Sequence, residues 1–145
     1  MARPAVARPG SSDAFWIARL ARRARPVFAV TQSAQDAERL RDEIAWFDPG
    51  LAVHRLPDWE ILPYDQFSPH PDLVSERLAT LHQFSQGACD VGIIPVSTAL
   101  QRLPPRSFVD GHALTLRVGE PLELEPFRLR LTAAGYASVP QVGAP

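Results

Sequence analysis

Lysine is missing from this 145-residue chain, and all 15 of its basic residues are arginine. That removes every mechanism that needs an amine, including the lysine that reaches the outer phosphates in a phosphate-binding loop. The single cysteine, Cys89, cannot close an internal disulfide, and no apolar run follows a basic amino-terminal start. The chain therefore reads as a reduced, cytoplasmic protein. No apolar stretch approaches the ~20 residues that a membrane-spanning helix needs. With 16 acidic residues the formal charge is −1, so a global basic field is lacking too, and any nucleic-acid contact has to come from a local arginine cluster. His54, His70, His82 and Cys89 do not show zinc spacing, and no metal site is expected. Hydrophobic residues make up 46% of the chain, enough for one sizeable core and so for one domain, or one domain plus the beginning of another.

Along the chain, the first ten residues carry two Arg-Pro pairs and no periodicity, which fits a flexible tail. Ser12 or Asp13 then caps a predicted helix with Ala14, Ile17, Ala21 and Ala24 on one face, Trp16 and Leu20 beside it, and Arg19, Arg22, Arg23 and Arg25 near its carboxyl end. Residues 27–30 form a short continuous apolar run, the pattern of a strand buried on both faces. Ser33 with Asp36 caps a second helix carrying Ala37, Leu40, Ile44 and Phe47 at helical spacing. Residues 51–56 read as a second strand, and 57–71 as a Pro-rich connection. Val74, Leu78 and Leu81 mark a third helix ending near Gly87, and residues 90–96 a third buried strand. Ser97 or Thr98 opens a short helix that Pro104 and Pro105 break. Strand, helix, strand, helix, strand is the order of right-handed crossovers on a parallel sheet with helices on both faces, a three-layer α/β domain. After Gly111 the texture changes. Residues 113–118 alternate like an edge strand, Pro126 and Gly135 bracket a helix, and 136–142 read as one more strand. The expected organisation is a tail over 1–10, an α/β domain over 11–111, and the start of a small second α/β domain over 112–145.

Candidate chemistry is sparse. The turn Gly10, Ser11, Ser12, Asp13 precedes a helix, where a nucleotide site of such a fold would sit, but it lacks the second glycine and the lysine of a phosphate loop, and Asp13 repels phosphate. An ordinary helix start explains it better, and neither a bound cofactor nor measurable ATP affinity is expected. Asp58, Glu60 and Asp65 share one loop, yet loop carboxylates mostly cap or turn, so no catalytic residue is assigned. Ser97 follows a buried strand without the glycines of a nucleophile elbow, which leaves capping as its role. The arginine cluster of the first helix suits either phosphate contacts or a solvated charged face, and the helix dipole favours the second. The segment from Asp58 to His70 is the most distinctive. Its aromatic residues and fixed-angle prolines fit either a loop held over the strand ends or a plug of Trp59, Tyr64 and Phe67 beneath a long connection.

That segment, with Trp59, Glu60, Pro63, Tyr64, Asp65, Phe67, Ser68, Pro69 and His70 followed by Arg77 and Leu78, resembles the hallmark of the amino-terminal region of transcription-repair coupling factors (Mfd). Matches continue in order through Ile94 to Ser97 with Gln101 and Arg102, Ser107 and Phe108 before Gly111 to Leu114, and Ala134 to Tyr136 with Gln141 and Val142. The resemblance implies a domain similar to that of the excision subunit UvrB: a helicase-like, P-loop-type domain 1a without a working P-loop over 11–111, then the start of domain 2. It also implies a DNA-repair role linking stalled RNA polymerase to nucleotide excision repair. UvrA would be a partner, and RNA polymerase and DNA would be engaged by other parts of the family's longer proteins, as would the ATP-dependent motor. This region would be a non-catalytic interaction and regulatory module. The alternative is a fragment of an active nucleotide-binding, helicase-like enzyme. The chain stops just before the Arg-Gly segment expected to complete the UvrA surface, so residues from about 112 onward are expected to be the least stable.

Overall fold

The computed structural model describes residues 10–59, 69–113, 116, 118–133, 136 and 139. Its elements are α1 (Ser12–Ala21), β1 (Val27–Thr31), α2 (Ala34–Phe47), β2 (Val53–Arg55), α3 (Pro71–Ser85), β3 (Val91–Pro95), α4 (Val96–Ala99), α5 (Arg106–His112) and α6 (Leu124–Ala133). The strands make a small parallel sheet in the order β1-β3-β2, with Val27 and Val53 flanking Val91 from its two sides. Parallel neighbours need a long crossover, and α2 and α3 supply it. The chain divides into two compact units, residues 1–111 and 112–145.

One face of the sheet carries the core. Val91 and Ile93 of the central strand are fully buried against Ala37, Leu40 and Ile44 of α2, and against Ala14, Ala18 and Ala21 of α1. The alanines give α1 a low ridge, so it packs closely on its neighbours. Ser33 caps α2 as the sequence predicts: its Oγ accepts from the Asp36 N–H at 3.0 Å and donates to the Asp36 carboxylate at 2.8 Å. The carboxyl ends of α1 and α2 are tied by a two-pronged ion pair from Arg22 to Asp48, at 2.6 and 2.5 Å.

The other face of the sheet is thinner. Gly92 lies under the Phe28 ring, which meets Phe84 of α3 edge-on at 5.3 Å between centroids. Helices α2 and α3 thus sit on opposite faces of the sheet, as two right-handed crossovers running in opposite directions require. This makes three layers, although α3 reaches over β1 mainly through Phe84. The expectation that β1 is buried on both faces is therefore corrected: Phe28 is 50% and Val30 63% exposed. An apolar run shows that both faces are apolar, not that a helix covers each.

Other expectations need correction at the level of single residues. α1 begins at Ser12, Ser11 holds the N-cap position, and no side chain makes a capping bond there. The buried stripe of α1 runs through Ala14, Ala18 and Ala21, while Trp16 and Leu20 face solvent. In α3 the buried positions are Arg77 and Thr80, and Leu78 is on the outside. β2 is only three residues long, with Leu51 and Leu56 buried just beyond it. Ser97 lies inside α4, whose N-cap position is Pro95. Helix α5 was not anticipated. Arg106 and Asp110 pair along it at 3.2 Å, and the Ser85 hydroxyl donates to Asp110 at 2.5 Å, which binds α5 to the end of α3.

In the second unit α6 has no buried residue, and Pro126 sits in its first turn, where a missing N–H does no harm. The strand predicted over 113–118 falls partly on residues outside those described, and Ala113 and Leu116 are not in a strand. The strand predicted over 136–142 lies outside the described residues except for Tyr136 and Val139.

Candidate functional site

Two places gather polar groups against the sheet. The first is built around Arg77, which enters α3 one turn after its start and is only 3% exposed. A guanidinium this deep needs partners for its donors, and it has them. It donates to the Pro57 carbonyl and, at 3.2 Å, to the Gln101 side-chain oxygen, while its plane lies 4.2 Å from the centre of the Trp59 ring. Gln101 in turn donates to Asp58 at 2.8 Å. The other Asp58 oxygen accepts from the Ser97 hydroxyl at 2.6 Å. The first-mentioned Asp58 oxygen also takes the Trp59 N–H at 2.8 Å. A chain of charge-assisted bonds thus fixes the start of the Asp58-to-His70 segment to α3 and to the helix after β3.

Partial burial by itself would raise the Asp58 carboxyl. The hydrogen bonds from Ser97, the Trp59 N–H, Gln101 and Thr98 outweigh it and hold the pKa below the ordinary carboxylate value. Such an acid stays ionised, so it is suited to holding structure rather than to general-acid work. Arg77 is pulled the opposite way: burial lowers its pKa, and the charge of Asp58 partly offsets that. A depressed carboxyl pKa means that Asp58 stabilises the fold fully above its unfolded value of about 3.9 and loses that contribution as pH falls through its lower folded value. The expected result is a urea midpoint that drops below about pH 4 in the parent chain and drops less in Asp58→Asn, as followed by circular dichroism.

This arrangement corrects the reading of Ser97 as a cap, since its hydroxyl turns to Asp58 instead of to a helix N–H. It also places three motif residues. Arg77 is the hub, Trp59 stacks on it, and the His70 Nδ1 accepts from the Asp72 N–H at 3.3 Å at the start of α3, with Pro69 before it. Glu60, Pro63, Tyr64, Asp65, Phe67 and Ser68 lie outside the described residues. The sequence offered Asp58 as a loop acid and Gln101 as a family match, but nothing in it linked them, because they are 43 positions apart.

The second place is a cleft of about 480 Å³ at the carboxyl end of β1, between the amino-terminal turns of α1 and α2. Ala29 to Gln32 form its floor, Asp13, Trp16 and Ile17 one wall, and Asp36, Arg39 and Leu40 the other. Crevices beyond the carboxyl ends of strands are where open α/β sheets place ligands, and helix amino-termini favour anions there. Here each of the two helices already carries its own carboxylate, Asp13 and Asp36, in its first turn. Gly10, with φ of +62°, makes the bend into α1, and Ser11 and Ser12 follow it. Arg39 is drawn away to Glu43, at 2.8 Å.

The remaining candidates have structural partners. Arg25 pairs with Asp90 at 2.8 Å, and Arg22 with Asp48. Burial pushes the Cys89 thiol up to about 11, so it is protonated at neutral pH. Among the described residues no group of three or more His, Cys, Asp or Glu side chains could hold a metal ion, and no helix is long and apolar enough to cross a membrane.

No protein-family model matches the chain. Curated proteins do. The transcription-repair-coupling factor of Escherichia coli (strain K12) is 44% identical over 134 residues, which are 92% of this chain and 12% of that protein. The protein of the same name from Haemophilus influenzae is 38% identical over 112 residues, covering 77% of this chain and 9% of the relative. That of Staphylococcus aureus (strain USA300) is 28% identical over 107 residues, 74% of this chain and again 9% of the relative. The chain spans about a tenth of the length of these curated relatives.

Proposed function

The chain is homologous to the transcription-repair-coupling factors over most of its length, and from that premise we propose that it acts as a non-catalytic interaction module of a DNA-repair protein. In this reading residues 11–111 are a UvrB-like, helicase-like domain 1a without a working nucleotide site, and residues 112–145 begin domain 2. UvrA is the partner assigned to this region. RNA polymerase and DNA are assigned to the whole protein, as is the ATP-driven motor, with the cytoplasm as its compartment.

The observation that carries the reading is the turn into α1. A nucleotide phosphate would have to approach the amino end of that helix, and the residues there are Gly10, Ser11, Ser12 and Asp13, with the Asp13 carboxylate in the first turn and lining the cleft. Like charges at that distance repel, and no lysine exists in the chain to offset them. The cleft itself favours the second reading, a nucleotide-using helicase-like enzyme, since its size suits a small ligand and its position is the usual one. Titration calorimetry with ATP and Mg²⁺ separates the two. We expect no heat of binding up to millimolar nucleotide, and a micromolar dissociation constant would establish the enzyme reading instead.

A further inference from the structure

Outside the Arg77 network and the β1 cleft, the outer surface of α1 and α2 carries an unusual set of side chains. Phe15, Trp16, Phe47 and Trp46 form a continuous series of edge-to-face contacts. Their centroids are 5.7 Å apart for Phe15 and Trp16, 5.6 Å for Phe15 and Phe47, and 4.9 Å for Trp46 and Phe47. Trp46 is 79% exposed and Trp16 51%, against 38% and 36% for the two phenylalanines. The phenylalanines brace the indoles, and the indole surfaces are left to solvent. A planar group stacking there finds rings already held in place, so little ordering entropy is lost.

Cations stand beside these rings. The Arg19 guanidinium lies 5.7 Å from the Phe15 centroid and 6.0 Å from that of Trp16, and Arg23 follows one turn later on α1. The other two arginines of the cluster are committed, Arg22 to Asp48 and Arg25 to Asp90. Among the described residues no carboxylate lies within ion-pair distance of Arg19 or Arg23. The patch therefore suits a ligand that is anionic and also presents flat apolar groups.

We propose that this face of α1 and α2 binds single-stranded nucleic acid, with bases stacking on Trp46 and Trp16 and phosphates meeting Arg19 and Arg23. A duplex keeps its bases stacked on one another and offers the indoles nothing. An acidic protein segment satisfies the arginines but leaves the exposed ring faces unused. With two cations and a chain charge of −1, the contact is weak and independent of base sequence. It is a surface additional to the protein-interaction role proposed above.

The test is fluorescence anisotropy of a fluorescein-labelled oligothymidylate of about 12 nucleotides, titrated with the whole chain at low salt. Saturable binding is expected with a dissociation constant on the order of 10–100 μM, weakening with salt at a log–log slope of about −1.4 for two phosphates. Trp46→Ala should weaken it roughly tenfold, whereas Trp46→Phe, which keeps a ring face, should retain most of the affinity. Arg19→Glu with Arg23→Glu should abolish it. These positions are exposed, so circular dichroism and melting temperature should match the parent. Absence of binding at low salt would overturn the proposal, and so would duplex binding of equal strength or indifference to the tryptophan and arginine variants. Displacement by polyglutamate at equal charge concentration would instead assign the face to an acidic protein partner.

Discussion

Arg77→Ala is expected to lower the unfolding free energy by about 2–4 kcal/mol, the largest loss for any single polar side chain described here. The side chain is 3% exposed, and three groups depend on it: the Pro57 carbonyl, the Gln101 oxygen and the Trp59 ring. Removing it leaves buried acceptors unpaired, and the full desolvation penalty of those groups then counts against the fold. Arg77→Lys keeps the charge but loses the planar fork and the stacked face, so it should recover only part of the loss. In a domain of this size each kcal/mol shifts the melting temperature by about 4–8 °C, so the alanine variant should melt at least ~8 °C below the parent by calorimetry. A shift of under a degree would mean that Arg77 is not the hub of this segment. Because Gln101 also holds Asp58, Arg77→Ala and Asp58→Asn should be less than additive when combined.

Gly92→Val is expected to be nearly as damaging, about 3 kcal/mol. A Cβ at this central-strand position would stand 2.5 Å from two atoms of the Phe28 ring and 3.1 Å from Phe84. Neither distance is tolerable without movement, and Phe84 is held by α3. Phe28 is half exposed and able to swing outward, so Gly92→Ala should cost only about 1 kcal/mol. The cycle with Phe28→Ala decides the cause. Once the ring is removed, the alanine at 92 should be tolerated, and valine should retain only its conflict with Phe84. Urea denaturation of the four chains in that cycle gives the coupling directly, and additive losses would show that the ring is not what excludes a side chain there.

Most of the framework follows from local pattern. The Ser33 cap, the helical spacing of Ala37, Leu40 and Ile44, the three apolar runs and the helix-length gaps between them are short-range features, and each depends on residues a few positions apart. Helix α5 escaped because its stability comes from Asp110 reaching back to Ser85, 25 positions earlier, and from no apolar period of its own. The buried side of α3 was misjudged for a related reason. Arginine is ordinarily a surface residue, and only the convergence of Pro57, Trp59 and Gln101 makes position 77 an interior one.

The sequence by itself determined the absence of a lysine-based phosphate site and the acidic start of α1, because those depend on which residues are present. It also determined the alternation of strands and helices, because hydrophobic period is written along the chain. Tertiary structure alone decided that β3 lies between β1 and β2, that Gly92 must be glycine, and that Arg77 joins Asp58, Ser97 and Gln101 into one network. It alone separated Arg22 and Arg25, which have carboxylate partners across the fold, from Arg19 and Arg23, which do not. Those outcomes depend on distances between residues remote in the chain, and these are fixed only when the sheet assembles and the helices close on its two faces.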